Sequence, residues 1–512
     1  MPLAHGFRRP YTDPLWKWLD MKRVLWRATI ITHRYLGVAV GLLMLVWFAS
    51  GIVMMYVPYP GLTPKDRLIP LGPIPWQACC SLEAQNIAGD QLVRSAQIQS
   101  IAGEPELYLR REGRPLSISS LGPSAPLLDL DDARARAVAL EAASRIIDRP
   151  AQPVSMELIE RDQWTVGDGG DGNRPLYHFI FDDPAGTHIY VSSTTGEVTL
   201  WTTASQRFWN WFGAVPHWLY FTELRKDGPL WSQIVIWTSL VGAFLTVLGL
   251  YLGIAQFKVG KSGRLSPYRG WFYWHHIIGL VFGIVTLTWV VSGTFSMNPW
   301  GFLDSRGGNE RALLAGAPIP WSAIRTSIES LRANPPPDAV RIASAPIDGK
   351  LFWLAAKRDG SVLRLDSEGR PAPVDMSVLH AAAERLSRGT SIESQGTITT
   401  EEAYYFSFSI AERNDGNPLP AYRVVLNDPE HTRYYLNPET AQLVRKVDAN
   451  SRGERWLFSG LHRLDFAQWL RMRPVWDIVM LTLLLGGLAG TATGVYLALL
   501  RIKRDLTFKR AP

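Results

Sequence analysis

Apolar residues concentrate in four runs, 29–56, 231–256, 271–297 and 476–500, separated by two long polar regions and one short loop. As helices rising 1.5 Å per residue, all four are long enough to cross a hydrocarbon core of roughly 30 Å. The pattern predicts four transmembrane helices. The first run follows a basic stretch and contains Ala49-Ser50-Gly51, as a cleavable export signal would, but its apolar body far exceeds the about 7 to 15 residues of such signals. It is read as an uncleaved span.

The polar regions 57–207 and 298–455 are each long enough for an independent small core. Asp131-Asp132 opens an Ala-rich helical stretch, and Met376 to Leu386 fills the same slot in the second region. Strand-like runs follow at Tyr177–Phe181 and His188–Val191, joined by the turn residues Asp182 to Gly186, then at Glu197–Trp201. Tyr422–Leu426, Arg433–Leu436 and Gln442–Val444 repeat the scheme.

The repetition extends to single residues. His33, Gly37, Gly41, Trp47 and Ser50-Gly51 recur 242 positions later as His275, Gly279, Gly283, Trp289 and Ser292-Gly293. Further on the offset is 245: Pro73-Ile-Pro-Trp76 recurs at 318–321, His217 at His462, and Gly249-Leu-Tyr251 as Gly494-Val-Tyr496. The expected fold class is therefore a membrane α+β protein. Its four transmembrane helices form two parallel-topology repeats, each carrying an exported α+β domain. Segments 208–230 and 456–475 are expected at the membrane interface, with 1–28, 257–270 and 501–512 in the cytoplasm.

Charge sets that orientation. The chain has 53 Lys+Arg against 46 Asp+Glu, a net charge of +7. Arg8, Arg9, Lys17, Lys22, Arg23 and Arg27 precede the first run; Lys258, Lys261, Arg264 and Arg269 fill the middle loop; Arg501, Lys503, Arg504, Lys509 and Arg510 follow the last run. Only Asp13, Asp20 and Asp505 oppose them. Positive charge gathers on the cytoplasmic side, so both termini and the middle loop are expected there. The excess is a topology signal, and no nucleic-acid partner is needed to explain it.

The stretch Tyr-x-Phe-x-Phe-Asp-Asp-Pro at 177–184, followed by Ile-Tyr-Val-Ser-x-x-Thr-Gly-Glu-Val at 189–198, resembles a PepSY domain. Its placement between a His-x-x-x-Gly span and a Gly-x-Tyr-Leu span is similar to the PepSY-associated transmembrane family of bacterial inner-membrane proteins. The likeness covers nearly the whole chain. It implies a haem-containing ferric-siderophore reductase that works with outer-membrane iron uptake, with periplasmic PepSY-like domains.

Histidines give that implication a chemical form. Polar side chains inside a bilayer are costly, usually face the bundle interior and often mark a function. Parallel repeats put equivalent residues at equal depth. His33 and His275 then pair at the inner level, and His217 and His462 at the outer. Two imidazoles on opposite faces of a macrocycle are what a haem b iron takes, so two haems are expected, one on each pair. Gly37, Gly41, Gly279 and Gly283, one and two turns along, would leave a groove for the porphyrin, although Gly-x-x-x-Gly is also a helix-packing face. His276, matched by Arg34, is an alternative ligand or a propionate partner. His178, His188, His380 and His431 have no histidine counterpart and are expected at the surface. Cys79-Cys80, the only cysteines, are read as structural or incidental.

No dinucleotide-binding glycine motif, Walker motif, His-Glu-x-x-His or nucleophile elbow occurs. The electron donor is thus expected to be separate, a quinol or a flavoprotein, and the acceptor a periplasmic ferric chelate or siderophore. The alternatives are a cofactor-free PepSY membrane protein that binds or regulates a periplasmic partner or peptidase, and an iron-chelate permease.

Overall fold

The computed structural model describes residues 14–80, 82, 87–122, 130–167, 171–258, 265–305, 307–406 and 417–508. Arg8, Arg9, Asp13, Lys261, Arg264, Lys509 and Arg510 lie outside them. The chain divides into two compact units. One comprises Met1–Ile52, Pro229–Pro299 and Leu457–Pro512; the other comprises Val53–Gly228 and Trp300–Trp456.

The first unit is helical. Its long helices are Pro14–Met54, Gly228–Gln256, Trp271–Ser296 and Val475–Phe508. Four stretches are long and apolar enough to cross a membrane: Met21–Met54, Gly228–Gln256, Trp271–Ser296 and Val475–Arg504. The first helix starts well before residue 29 and the last runs beyond residue 500. Apolar runs mark where lipid is expected, whereas the backbone ladder continues through polar residues, and Pro14 suits a first helical position. Close packing uses glycine. A Cβ on Gly486 would lie 2.3 Å from Phe282, and one on Gly487 would lie 2.2 Å from Phe48. Ile254, Val281 and Ile284 are each more than 60% exposed, as side chains facing hydrocarbon would be.

The second unit contains three antiparallel sheets. Two are four-stranded and alike in order: 153–159, 176–181, 188–192, 198–202, and 392–398, 421–426, 433–436, 443–447. A helix packs with each, started by an aspartate side chain that accepts backbone N–H bonds. Asp131 caps Asp132–Ile146, and Asp375 caps Met376–Ser387. Ala135, Ala139 and Ala142 are small enough to let the first helix lie close to Phe179, Ile189 and Val191. The predicted helices and strands agree with these elements to within a few residues. In the tight turns before the last strands, Gly196 (φ 71°) and Ala441 (φ 56°) both adopt the left-handed conformation.

The third sheet departs from expectation. It runs 362–365, 353–357, 339–344, 92–101, 104–111, 116–120, with 319–320 added on residues 92 and 93. The polar regions therefore do not have only separate cores; they share one. Strands 92–101 and 339–344 join through the pairs Gln97–Ala343, Ile98–Ile342 and Gln99–Arg341. Residues 245 apart, Gln97 with Ile342 and Ile98 with Ala343, exchange roles across adjacent rungs, so the junction is locally two-fold. Ile98, Ile342, Trp321, Ile328 and Trp353 fill the core beneath it.

Polar residues cross this junction because they are satisfied inside it. The fully buried Gln99 accepts from Arg341 Nε at 2.8 Å and donates to Glu197 Oε1 at 2.8 Å, and Arg341 reaches the same carboxylate at 3.2 Å. Cys79 and Cys80 form a disulfide at the edge of the core. His178 is buried, contrary to expectation, because its rung places it between Glu157 and Tyr190. It bonds Glu157 at 2.9 Å and His188 at 2.9 Å and stacks on Tyr190. His188 is half-buried, whereas His380 and His431 are exposed.

Two stability effects follow. Trp353 is fully buried and donates from its indole to Ser327 Oγ at 2.7 Å. Trp353→Ala should cost about 3–5 kcal/mol and lower the melting temperature of the sheet signal in circular dichroism of the full chain. Glu106, also fully buried, meets Arg134, while burial outweighs that cation and pushes its pKa from 4.5 to about 7. A carboxyl raised on folding favours the folded state at low pH and loses that contribution as pH climbs through 7. Glu106→Gln should flatten the fall in stability between pH 4.5 and 7 seen in denaturant titrations.

Candidate cofactor site in the helical unit

His33 on the first long helix and His275 on the third face one another, with ring centroids 6.4 Å apart and planes inclined by 32°. Metal–imidazole bonds of about 2 Å put two rings on one metal with centroids roughly 6 Å apart. The spacing suits a shared ion.

Each ring is held by the next of the four long helices. His33 Nδ1 lies 3.3 Å from the carbonyl of Leu245, and His275 Nδ1 lies 3.2 Å from the carbonyl of Gly490. A carbonyl only accepts, so both nitrogens carry hydrogen and both Nε2 atoms keep their lone pairs. Metal-binding histidines are commonly oriented in this way. The contact requires absent side chains. A Cβ on Gly249 would lie 2.8 Å from His33 Cε1, and one on Gly494 would lie 3.1 Å from His275 Cε1. These glycines open the repeated Gly-x-Tyr motif, whose purpose the sequence did not disclose.

A cavity of about 620 Å³ surrounds the pair, lined by both histidines, Gly37, Gly41, Gly279 and Gly283 among others. The four glycines divide by task. A Cβ on Gly37 or Gly279 would meet nothing within 4 Å, so these two leave open space. At Gly41 it would meet Val495 at 3.3 Å, and at Gly283 it would meet Leu250 at 2.6 Å, so these two pack helices. The cradle beside the imidazoles thus suits a flat group. Arg34, Arg501 and Arg504 also line the cavity and supply positive charge.

His276 lines the same cavity but has both nitrogens engaged, Nε2 with the Gly253 carbonyl at 2.8 Å and Nδ1 with Ser266 Oγ at 2.7 Å. The carbonyl requires hydrogen on Nε2, so Nδ1 accepts from the serine. Its tautomer is opposite to that of its neighbour His275.

His462 is in the helical unit and His217 in the other, on the short helix Ala214–Trp218. His462 Nδ1 lies 3.0 Å from Ser292 Oγ, and the His462 carbonyl accepts from the Trp289 indole at 3.1 Å. Because Ser292 gives its own hydrogen to the Trp289 carbonyl, the imidazole is the donor. The second copy of the repeated Trp-x-x-Ser-Gly landmark, Trp289 to Gly293, is therefore a clamp on this histidine. Nothing in its spacing had indicated that role.

A comparison with curated proteins returns no match. Residues 30–355, well over half of the chain, match the family described as the PepSY-associated TM region. With four helices able to cross a membrane, the protein is a multi-pass membrane protein belonging to that family.

Proposed function

We propose that the protein is a haem-dependent reductase of the bacterial inner membrane. It passes electrons outward to a ferric chelate, such as a ferric siderophore, in the periplasm. In this reading His33 and His275 would hold the inner haem b. The observation that carries this reading is the facing pair of imidazoles, with Nδ1 bound to backbone carbonyls and Nε2 left for a metal, on a cavity with room for a flat group.

Bound there, haem supplies a one-electron carrier that hard-oxygen ferric chelates can draw on, and such chelators hold Fe(II) less tightly than Fe(III). The residues do the rest. His33 and His275 present their lone pairs without a change of tautomer, so they need no proton movement when charge arrives. Gly249 and Gly494 let those rings lie against the neighbouring backbone, and Gly37 and Gly279 leave the ring-sized gap. Leu245, Leu280 and Phe282 keep the lining apolar, while Arg34, Arg501 and Arg504 attract carboxylates such as haem propionates. A second haem on His217 and His462, periplasmic sheets, cytoplasmic termini and a separate quinol or flavoprotein donor complete the proposal on sequence grounds.

Purified full-length protein should show a Soret band, sharp bands on dithionite reduction and two haems per chain by pyridine haemochrome. His33→Ala and His275→Ala should each remove about one haem, while His276→Ala retains both. Gly37→Val and Gly279→Val should fold normally yet bind less haem, because the added side chains enter open space. Wild-type protein without a Soret band would end this reading.

A further inference from the structure

The two inner histidines are held alike by backbone but not by side chains. His275 Nδ1 has a second acceptor, Thr493 Oγ1, at 3.2 Å, in addition to the Gly490 carbonyl. Thr493 turns its own hydrogen toward the carbonyls of Gly490, at 2.8 Å, or Ala489, at 3.0 Å, which leaves its oxygen to accept from the imidazole. The residue 245 positions earlier is Leu248, which has no polar atom to offer His33. Among the described residues, the Leu245 carbonyl is the sole hydrogen-bond partner of the His33 ring.

We infer that Thr493 is a positioning residue that makes His275 the more strongly donating of two otherwise equivalent ligands and so sets the potential of the metal they share. This rests on the haem reading proposed above. Acceptors on Nδ1–H push negative charge into an imidazole and raise its basicity toward a metal at Nε2. A more basic ligand favours the ferric state. Thr493 is thus a control on potential placed outside the ligand set, and Leu248 marks the side that lacks one. The single hydroxyl also breaks the equivalence of the two rings without altering the cavity, because both Nδ1 atoms keep their carbonyl partners.

The test uses the full-length haem-loaded protein and reads the midpoint potential by spectroelectrochemical titration, with low-temperature EPR g-values of the oxidised form alongside. Thr493→Val, which keeps the shape and removes the hydroxyl, should move the equilibrium toward ferrous haem by roughly threefold, about 28 mV upward at 59 mV per decade. Thr493→Ser should stay at the wild-type value. Should Thr493→Val lose its haem, Leu248→Thr reads the same effect from the other ring and should shift the midpoint downward. Unchanged potential and g-values in the variants that retain haem, or an equal shift in Thr493→Ser, would overturn the inference while leaving the haem reading intact. Wild-type protein without haem would overturn both.

Discussion

An imidazole can reach the backbone of a neighbouring helix only where that helix presents no side chain. In apolar surroundings a free ring nitrogen is costly, so the approach must also end on an acceptor. Gly249 and Gly494 satisfy the first requirement, and the carbonyls one turn earlier, at Leu245 and Gly490, satisfy the second. Everything proposed for the cavity depends on that arrangement, because it fixes the tautomer, aims the lone pair and keeps the helices in contact. His276 has the same chemistry with the opposite outcome. Ser266 and the Gly253 carbonyl take both its nitrogens, and the ring becomes a strut between the middle loop and the second and third spans.

The sheet-bearing unit obeys a comparable rule. Polar groups are buried where partners arrive from distant segments. Gln99 and Arg341 come from paired strands of the shared sheet and Glu197 from the turn before strand 198–202, and their mutual hydrogen bonds form only when all three are in place. Such a network specifies one register, because sliding either strand by one residue would leave a buried amide or guanidinium without a partner.

What could be read from the sequence follows from the range of the interactions. Span number, the candidate inner ligands and the short strands after Asp131 and Asp375 depend on local periodicity and on residues that repeat, so they were legible. The shared sheet was not, because Leu92–Ile101 carries Arg94, Gln97, Gln99 and Ser100 among its apolar residues, and the buried Gln99 finds its cation, Arg341, on a partner strand more than two hundred residues away. The carbonyls that hold His33 and His275 have no signature, since any residue supplies one. Thr493 was hidden because a single hydroxyl in an apolar run ordinarily bonds its own helix, as this one also does. His178 was misjudged because its burial depends on cross-strand neighbours that spacing along one strand does not reveal.

The shared sheet also has a consequence in time. Strand Leu92–Ile101 emerges early, but its partner Ala339–Ser344 is made only after two further spans. At ribosomal rates of about 5–20 residues per second, the gap amounts to roughly 10–50 s. Through that interval one long edge, with Val93 and Ile98 on it, stays unpaired in a nascent chain already threaded through the bilayer. Until the second polar region is made, that edge is a template for wrong strand pairing, so the order of synthesis sets when this part of the fold is most exposed to aggregation.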